Sequence, residues 1–216
     1  MNIKRILFWL GFIVVIGLII WGMIAAGKKA SRETANLPLP DQITAQDWAR
    51  GNVNGPVTIV EYSDFQCPAC GIYFPVVEQL FKEYASNMRF VYRHFPLPQH
   101  ANAIPAAKAS EAAGKQGKFW EMYEMIFSTQ KDWENSTDSA TIFSGYAKKL
   151  GLDMTKYATD VASKEIEDKI TASIKAGNRA GINSTPTFYV NGKKIQNPSG
   201  YEEFKKIIDE AISAKN

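Results

Sequence analysis

The sequence predicts an α/β domain, and three observations carry that reading. An apolar stretch from Val57 to Phe65 has the pattern of a buried strand and runs straight into Cys67-Pro68-Ala69-Cys70 and a helical pattern. Residues from about 100 to 180 are helical throughout. Beyond them a short strand, a tight turn and an amphipathic helix close the chain.

The first element is apolar. Ile6 to Gly27 is a run of 22 residues without a charge, rich in Ile, Leu, Val, Phe and Trp. As a helix it would span about 33 Å at roughly 1.5 Å per residue, enough to cross the hydrocarbon core of a bilayer. Cleaved signal peptides have shorter apolar centres, of about 7 to 15 residues, although Ala25 and Gly27 leave a weak cleavage site open. The expectation is a single N-terminal transmembrane helix over residues 1–27. Basic residues at both ends, Lys4 and Arg5 against Lys28, Lys29 and Arg32, leave its orientation weakly determined. Residues 28–47 are polar, contain Pro38 and Pro40, and read as a linker.

The domain is expected over 48–216. Gly51 to Pro56 is a loop and Val57 to Tyr62 a strand. The helix after the cysteines carries Tyr73, Val76, Val77, Leu80, Phe81 and Tyr84 as an apolar stripe, with Pro75 as a point of kinking. Arg89 to Arg93 is a second strand. In the helical block, Ala101 to Lys115 is Ala-rich, and Phe119 to Phe127 and Ile142 to Leu150 each carry large apolar residues at helical spacing. Gly151 is placed as a C-cap. Asp153 opens a short helix, and Ile166, Ile170 and Ile174 stripe a longer one ending near Gly181. Lys131-Asp132-Trp133-Glu134 reads as a solvated connection. Thr187 to Val190 is a strand, Asn191-Gly192 a type I′ turn, and Phe204, Ile207, Ile208 and Ile212 mark the last helix. Strand, helix, strand, helical block, hairpin, helix is a thioredoxin-like fold with a helical insertion at about 100–180.

Charge narrows the function. The net +3 lies at the front, where Lys4, Arg5, Lys28 and Lys29 precede the first acid, Glu33. The remainder carries 21 basic and 22 acidic residues, so no basic nucleic-acid surface is expected. No phosphate-loop motif is present either.

The only two cysteines are three residues apart at a strand-to-helix turn. Pro68 suits the first helical position, because a missing N–H is unpaired there anyway. Cys67 is then the N-cap, its sulfur near free backbone N–H groups and the positive helix end, which favour a thiolate. A lowered pKa makes Cys67 the reactive, exposed sulfur. Cys70, one turn in on the same face, is expected to be more buried and to resolve the mixed disulfide. A static disulfide would close too short a loop to stabilise the fold much. A zinc site with His94 and His100 is the other alternative, with Pro96 and Pro98 lying between the two histidines. No metal and no cofactor beyond the redox-active pair is expected.

Thr185-Pro186 fits the same chemistry if its peptide is cis, because Thr185 backbone groups could then pair with an extended peptide beside Cys67. As an ordinary trans proline opening a strand it would carry no such meaning, and local sequence does not separate the two.

Three segments resemble the DsbA-like thiol–disulfide oxidoreductases: Glu61 to Cys70, Tyr92 to Leu97, and Gly181 to Gly192. The resemblance extends over roughly 48–216. It implies a cis Pro186 and an extracytoplasmic enzyme that introduces disulfides into exported or secreted proteins. It also implies reoxidation by a quinone-linked membrane partner of the DsbB or vitamin K epoxide reductase type. Membrane-anchored members match Ile6 to Gly27 and place the domain on the extracytoplasmic side. Pro68, Ala69 and Thr185 become candidate substrate-binding residues. Ala69 departs from the best-known oxidase, which has His before its second cysteine; one thiolate-stabilising contribution is thereby removed, and a milder oxidant is expected. Glu61 occupies the position of the family's acidic residue under the active site. A buried carboxylate there is costly unless paired, so a proton relay to Cys70 or a pair with Arg89 or Arg93 is expected; a strand-end residue facing solvent is the alternative. A reductase or isomerase on the same scaffold is the nearest rival, and a non-catalytic peptide-binding module is the rival from another class.

Overall fold

The computed structural model describes residues 9, 12–24, 38–39 and 41–215. The chain divides into two units, Met1–Leu37 and Pro38–Asn216. In the first, residues 12–24 form a helix with exposed side chains. Among the described residues no helix is long and apolar enough to cross a membrane. The rest of the expected span, residues 6–8, 10–11 and 25–27, lies outside the described residues.

The second unit is built on five strands, β1 (Trp48–Gly51), β2 (Val57–Ser63), β3 (Met88–His94), β4 (Thr187–Val190) and β5 (Lys193–Lys194). Their order in the sheet is β1-β3-β2-β4-β5. Only β2 and β3 pair in parallel. That pairing needs a crossover, supplied by α1 (Pro68–Tyr84), which continues through Pro75. The insertion divides into α2 (Ala103–Gly114), α3 (Phe119–Ser128), α4 (Gln130–Trp133), α5 (Ser139–Lys149), α6 (Met154–Val161) and α7 (Lys164–Arg179). The hairpin β4–β5 and α8 (Tyr201–Ser213) complete the domain. Asn191 and Gly192 both have positive φ, as a type I′ turn requires.

Strand alternation sorts the side chains into two cores. Val57 and Ile59 of β2, Phe90 and Tyr92 of β3 and Phe188 of β4 join α1, α8 and the insertion in the larger one. Val60, Tyr62, Val91 and Tyr189 point the other way and pack with Phe95 and Ile182. Glu61 and Ser63 follow Ile59 at period two and so belong to the cysteine-bearing side.

Three expectations change. The strand β1 was not predicted, because Trp-Ala-Arg-Gly shows no alternation; it ends at Gly51, where φ is +87° and a Cβ would collide with the Met88 carbonyl. The supposed solvated connection at Lys131 to Glu134 is instead largely helical and anchored, with Trp133 fully buried and its indole Nε1 donating to the Ile126 carbonyl at 2.9 Å. Part of the expected linker is docked: Leu39 N donates to Gly192 O at 2.7 Å, and Arg93 donates to the carbonyls of Asp41 and Gln42 and to the Asp47 carboxylate.

Candidate active site

Cys67 is the N-cap of α1, with extended backbone (φ −65°, ψ 123°), and Pro68 follows at the first helical position. The cap geometry expected from the sequence is therefore present. Cys70 is fully buried as expected, but Cys67 is nearly so rather than exposed, because the Thr185 segment packs against its sulfur; Pro68 is exposed and Ala69 half-buried between them. The Cys67 thiol donates to the Thr185 carbonyl at 3.4 Å. That contact brings together two segments 118 residues apart in sequence. The Thr185–Pro186 peptide is cis.

The two sulfurs have opposite electrostatics. Hydrogen bonding from the Cys70 thiol is the largest influence on Cys67 and outweighs burial; with help from Thr185 and the N–H groups of Cys70 and Ala69, it holds Cys67 below its ordinary value of 9.0, at about 5. The sulfur lies beside those N–H groups without forming a cap hydrogen bond. Burial pushes Cys70 well above the same ordinary value, and the nearby Cys67 and Glu61 charges push it further. One sulfur is poised as a thiolate and the other holds its proton. This is the division of labour between attacking and resolving thiols.

Glu61 lies in the floor of the site, 2% exposed, between Tyr92 on β3 and Phe188 on β4. Burial raises its carboxyl from 4.5 to about 7, against smaller opposing effects of Ser63 and Arg50. Among the described residues its Oε2 has no hydrogen-bond partner, and neither do Ser63 Oγ and Tyr92 OH. The expected pair with Arg89 or Arg93 is not made. Adjacent strand residues face opposite ways, so Arg93, one residue past Tyr92, lies on the far face and binds Asp47 and Tyr62.

The histidines also have carboxylate partners. His94 Nε2 lies 3.1 Å from Glu111 Oε1, and His100 Nδ1 lies 2.6 Å from Asp64 Oδ2. Among the described residues there is no group of three or more His, Cys, Asp or Glu side chains that could hold a metal ion.

Several residues that the sequence reading passed over shape the site. Asp64 is buried; its Oδ1 accepts from Gln66 N, its Oδ2 from Leu97 N, and its carbonyl from Cys67 N. Asn197 Nδ2 donates to Pro186 O at 2.7 Å, and Tyr73 OH donates to Pro198 O at 2.5 Å. These contacts tie the Pro186 segment to the loop at 197–198 and that loop to α1. Only Asp64, three residues from Cys67 in a strand-to-helix turn, carried a local signal, since Asp commonly caps such turns.

A profile of the family described as thioredoxin matches residues 44–210. The chain belongs to the thioredoxin family. Among solved structures it is similar to BdbD from Bacillus subtilis, with a TM-score of 0.71 and 24% identity over 82% of this chain and 100% of that one. It is also similar to alpha-DsbA1 of Wolbachia pipientis, with TM-score 0.71 and 23% identity over 80% and 94% of the two chains. A thioredoxin-like oxidoreductase from Silicibacter pomeroyi DSS-3 aligns with TM-score 0.66 and 26% identity over 79% and 94%. The fold is thus that of the DsbA-like structures, with the cysteine pair at the first turn of α1.

Curated relatives include a Na(+)/H(+) antiporter, NhaA 3 of Salinispora tropica, 35% identical over 170 residues. That match takes in 78% of this chain but 25% of the antiporter. The chain therefore spans about a quarter of that relative's length, and the transport activity in its name belongs to the whole protein.

Proposed function

We propose that the chain is an oxidase that introduces disulfides into exported proteins. The observation that supports this reading most directly is the contrast between the two sulfurs, because a stabilised Cys67 thiolate favours the dithiol over the disulfide and makes the disulfide oxidising. In the forward reaction a substrate thiolate attacks Cys67 Sγ of the Cys67–Cys70 disulfide. The S–S bond breaks, Cys70 leaves as a thiolate that takes a proton, and a mixed disulfide forms on Cys67. A second substrate thiolate attacks the substrate sulfur of that mixed disulfide and expels Cys67 as the thiolate. Two electrons pass from the substrate dithiol to the cysteine pair. A quinone-linked membrane partner, of the DsbB or vitamin K epoxide reductase type, accepts them in the next turnover.

Substrate is received between the two segments that meet at Cys67. Pro68 and Ala69 form the exposed and half-exposed surface of the helix start, and Thr185, next to Pro186, offers backbone to an extended peptide. Glu61, with its carboxyl raised to about 7, takes and returns the Cys70 proton. The 22 uncharged residues from Ile6 to Gly27 anchor the domain on the extracytoplasmic side.

The decisive measurement is equilibration of the full chain with glutathione buffers. A potential towards the roughly −120 mV of DsbA supports an oxidase, and one near the roughly −270 mV of thioredoxin makes the chain a reductase. Cys67→Ser is expected to abolish exchange. Retention of peptide binding as the sole activity of that variant would point instead to a binding module.

A further inference from the structure

Gln130 opens α4 within the helical insertion, is 5% exposed, and takes no part in the exchange steps above. Its Nε2 donates to the Phe65 carbonyl at 2.7 Å and to the Cys67 carbonyl at 3.0 Å. The Cys67 carbonyl also accepts from Gly71 N at 3.1 Å, so the peptide that follows the attacking residue holds two donors. The carboxamide occupies the space a side chain at Gly71 would need: a Cβ there would collide with Gln130 Oε1 and approach its Cδ to 3.0 Å.

Other contacts hold the same turn from the same direction. Gln66 Nε2 donates to Glu134 O at 2.6 Å, and Asn102 N donates to Gln66 Oε1 at 2.6 Å. Asn102 Nδ2 in turn donates to Ser136 O at 2.9 Å. The turn that carries Cys67 is therefore gripped by the insertion as well as by the sheet. Gln130 alone among these side chains bonds to the cysteine residue itself.

We propose that Gln130 is a positioning residue for disulfide exchange, its carboxamide fixing the Phe65 and Cys67 carbonyls and with them the seat of the Cys67 sulfur on the first turn of α1. The inference rests on the thiol-exchange reading above. The direction of the Cys67 carbonyl is its ψ angle, and ψ determines whether Cβ and Sγ stand over the N–H groups of Ala69 and Cys70. Gln130 adds no charge at the sulfur; it acts by holding the backbone that presents those groups. Buried amide donors and carbonyls left without partners are costly, so the carboxamide and the two carbonyls stabilise one arrangement.

Two variants of the full chain dislodge the carboxamide from opposite sides. Gln130→Met removes both N–H donors at nearly constant volume. Gly71→Ala keeps Gln130 but places a methyl group where its carboxamide lies, while raising intrinsic helix propensity. The readouts are the pH titration of thiolate absorbance and the equilibrium constant with glutathione. Both variants are expected to raise the titration midpoint by about one unit and to weaken the disulfide as an oxidant about tenfold. A lowered urea midpoint with unchanged titration and equilibrium would make Gln130 merely structural and overturn the proposal. A shift in Gly71→Ala without one in Gln130→Met would also overturn it, because the methyl group alone would then be responsible. A wild-type chain that does not exchange with glutathione removes the functional reading and this inference together. Wild-type exchange beside two unaltered variants removes only the role of Gln130.

Discussion

Two carboxylates, Glu61 and Glu111, are each 2% exposed, yet the protein treats them in opposite ways. Glu111 sits where the insertion meets the sheet edge. It accepts from Trp48 Nε1 at 2.7 Å, His94 Nε2 at 3.1 Å and Lys169 Nζ at 2.8 Å, joining β1, β3, α2 and α7. Burial pushes its carboxyl up, but the His94 and Lys169 contacts outweigh burial and hold it below 4.5. Glu61 sits in the floor of the cysteine site, where burial dominates and one carboxylate oxygen has no partner. A carboxylate that joins elements is surrounded by donors. One buried with an oxygen left unpaired is able to take up a proton near neutral pH.

The largest expected effect comes from breaking the first region. Glu111→Ala leaves the half-buried Trp48 indole N–H and the buried His94 without their acceptor, and the Lys169 ammonium keeps only its place 4.3 Å above the Trp48 ring. Removal of one partner from such a buried group costs about 3 to 5 kcal/mol, measurable as a lower midpoint in urea. The thiolate titration and the glutathione equilibrium are expected to stay at their wild-type values. Equal loss in both readouts would mean that the two regions are coupled rather than separate.

Breaking the second region has a smaller effect that changes with pH. Glu61 has a folded pKa of about 7 against 4.5 in its ordinary environment, so folding favours its protonated form. Its contribution to stability is fully present below 4.5 and is lost as pH rises through about 7, a difference of up to about 3 kcal/mol. Glu111, held low, contributes in the opposite sense: its part is present above 4.5 and is lost as pH falls through its folded value. Glu61→Gln is therefore expected to flatten the decline in urea-unfolding stability between pH 4.5 and about 7 while leaving the Glu111 limb at lower pH in place. The same variant should slow release of the mixed disulfide by Cys70 near neutral pH. Unchanged thiol titration and exchange rates in Glu61→Gln would end the proton-relay role.

The sequence made the two regions unequally legible. Cys67, Pro68 and Cys70 could be placed because an N-cap, a first-turn proline and a residue one turn later are local matters. Burial of Glu61 was implied by the family resemblance, since local pattern alone also suits a strand-end residue facing solvent. Its partner did not, because the β2–β3 register sets Glu61 opposite Tyr92 and turns Arg93 to the far face. Gln130 was hidden for a related reason. Its bond to Cys67 spans 63 residues, and its neighbours Lys131, Asp132 and Glu134 resemble a solvated turn although Trp133 among them is fully buried. Packing across the insertion decides that segment, and no window of local sequence contains both sides of the contact.

The smallest effect sharpens the comparison most. Ser63 lies two residues from Glu61 on the same strand face, and its hydroxyl opposes the upward push of burial on the Glu61 carboxyl. Ser63 Oγ has no hydrogen-bond partner of its own, so Ser63→Ala removes little from the packing or the hydrogen-bond network. The variant is expected to raise the Glu61 titration by less than one unit, a change of less than about 1.4 kcal/mol. The decline in stability towards pH 7 and the pH dependence of Cys70 release should move upward together by that amount. A shift in one profile without the other would mean that the carboxyl governing stability is not the group that handles the Cys70 proton. A common shift would assign both to Glu61, and the contrast with Glu111 would then rest on a single carboxyl whose surroundings leave it free to titrate.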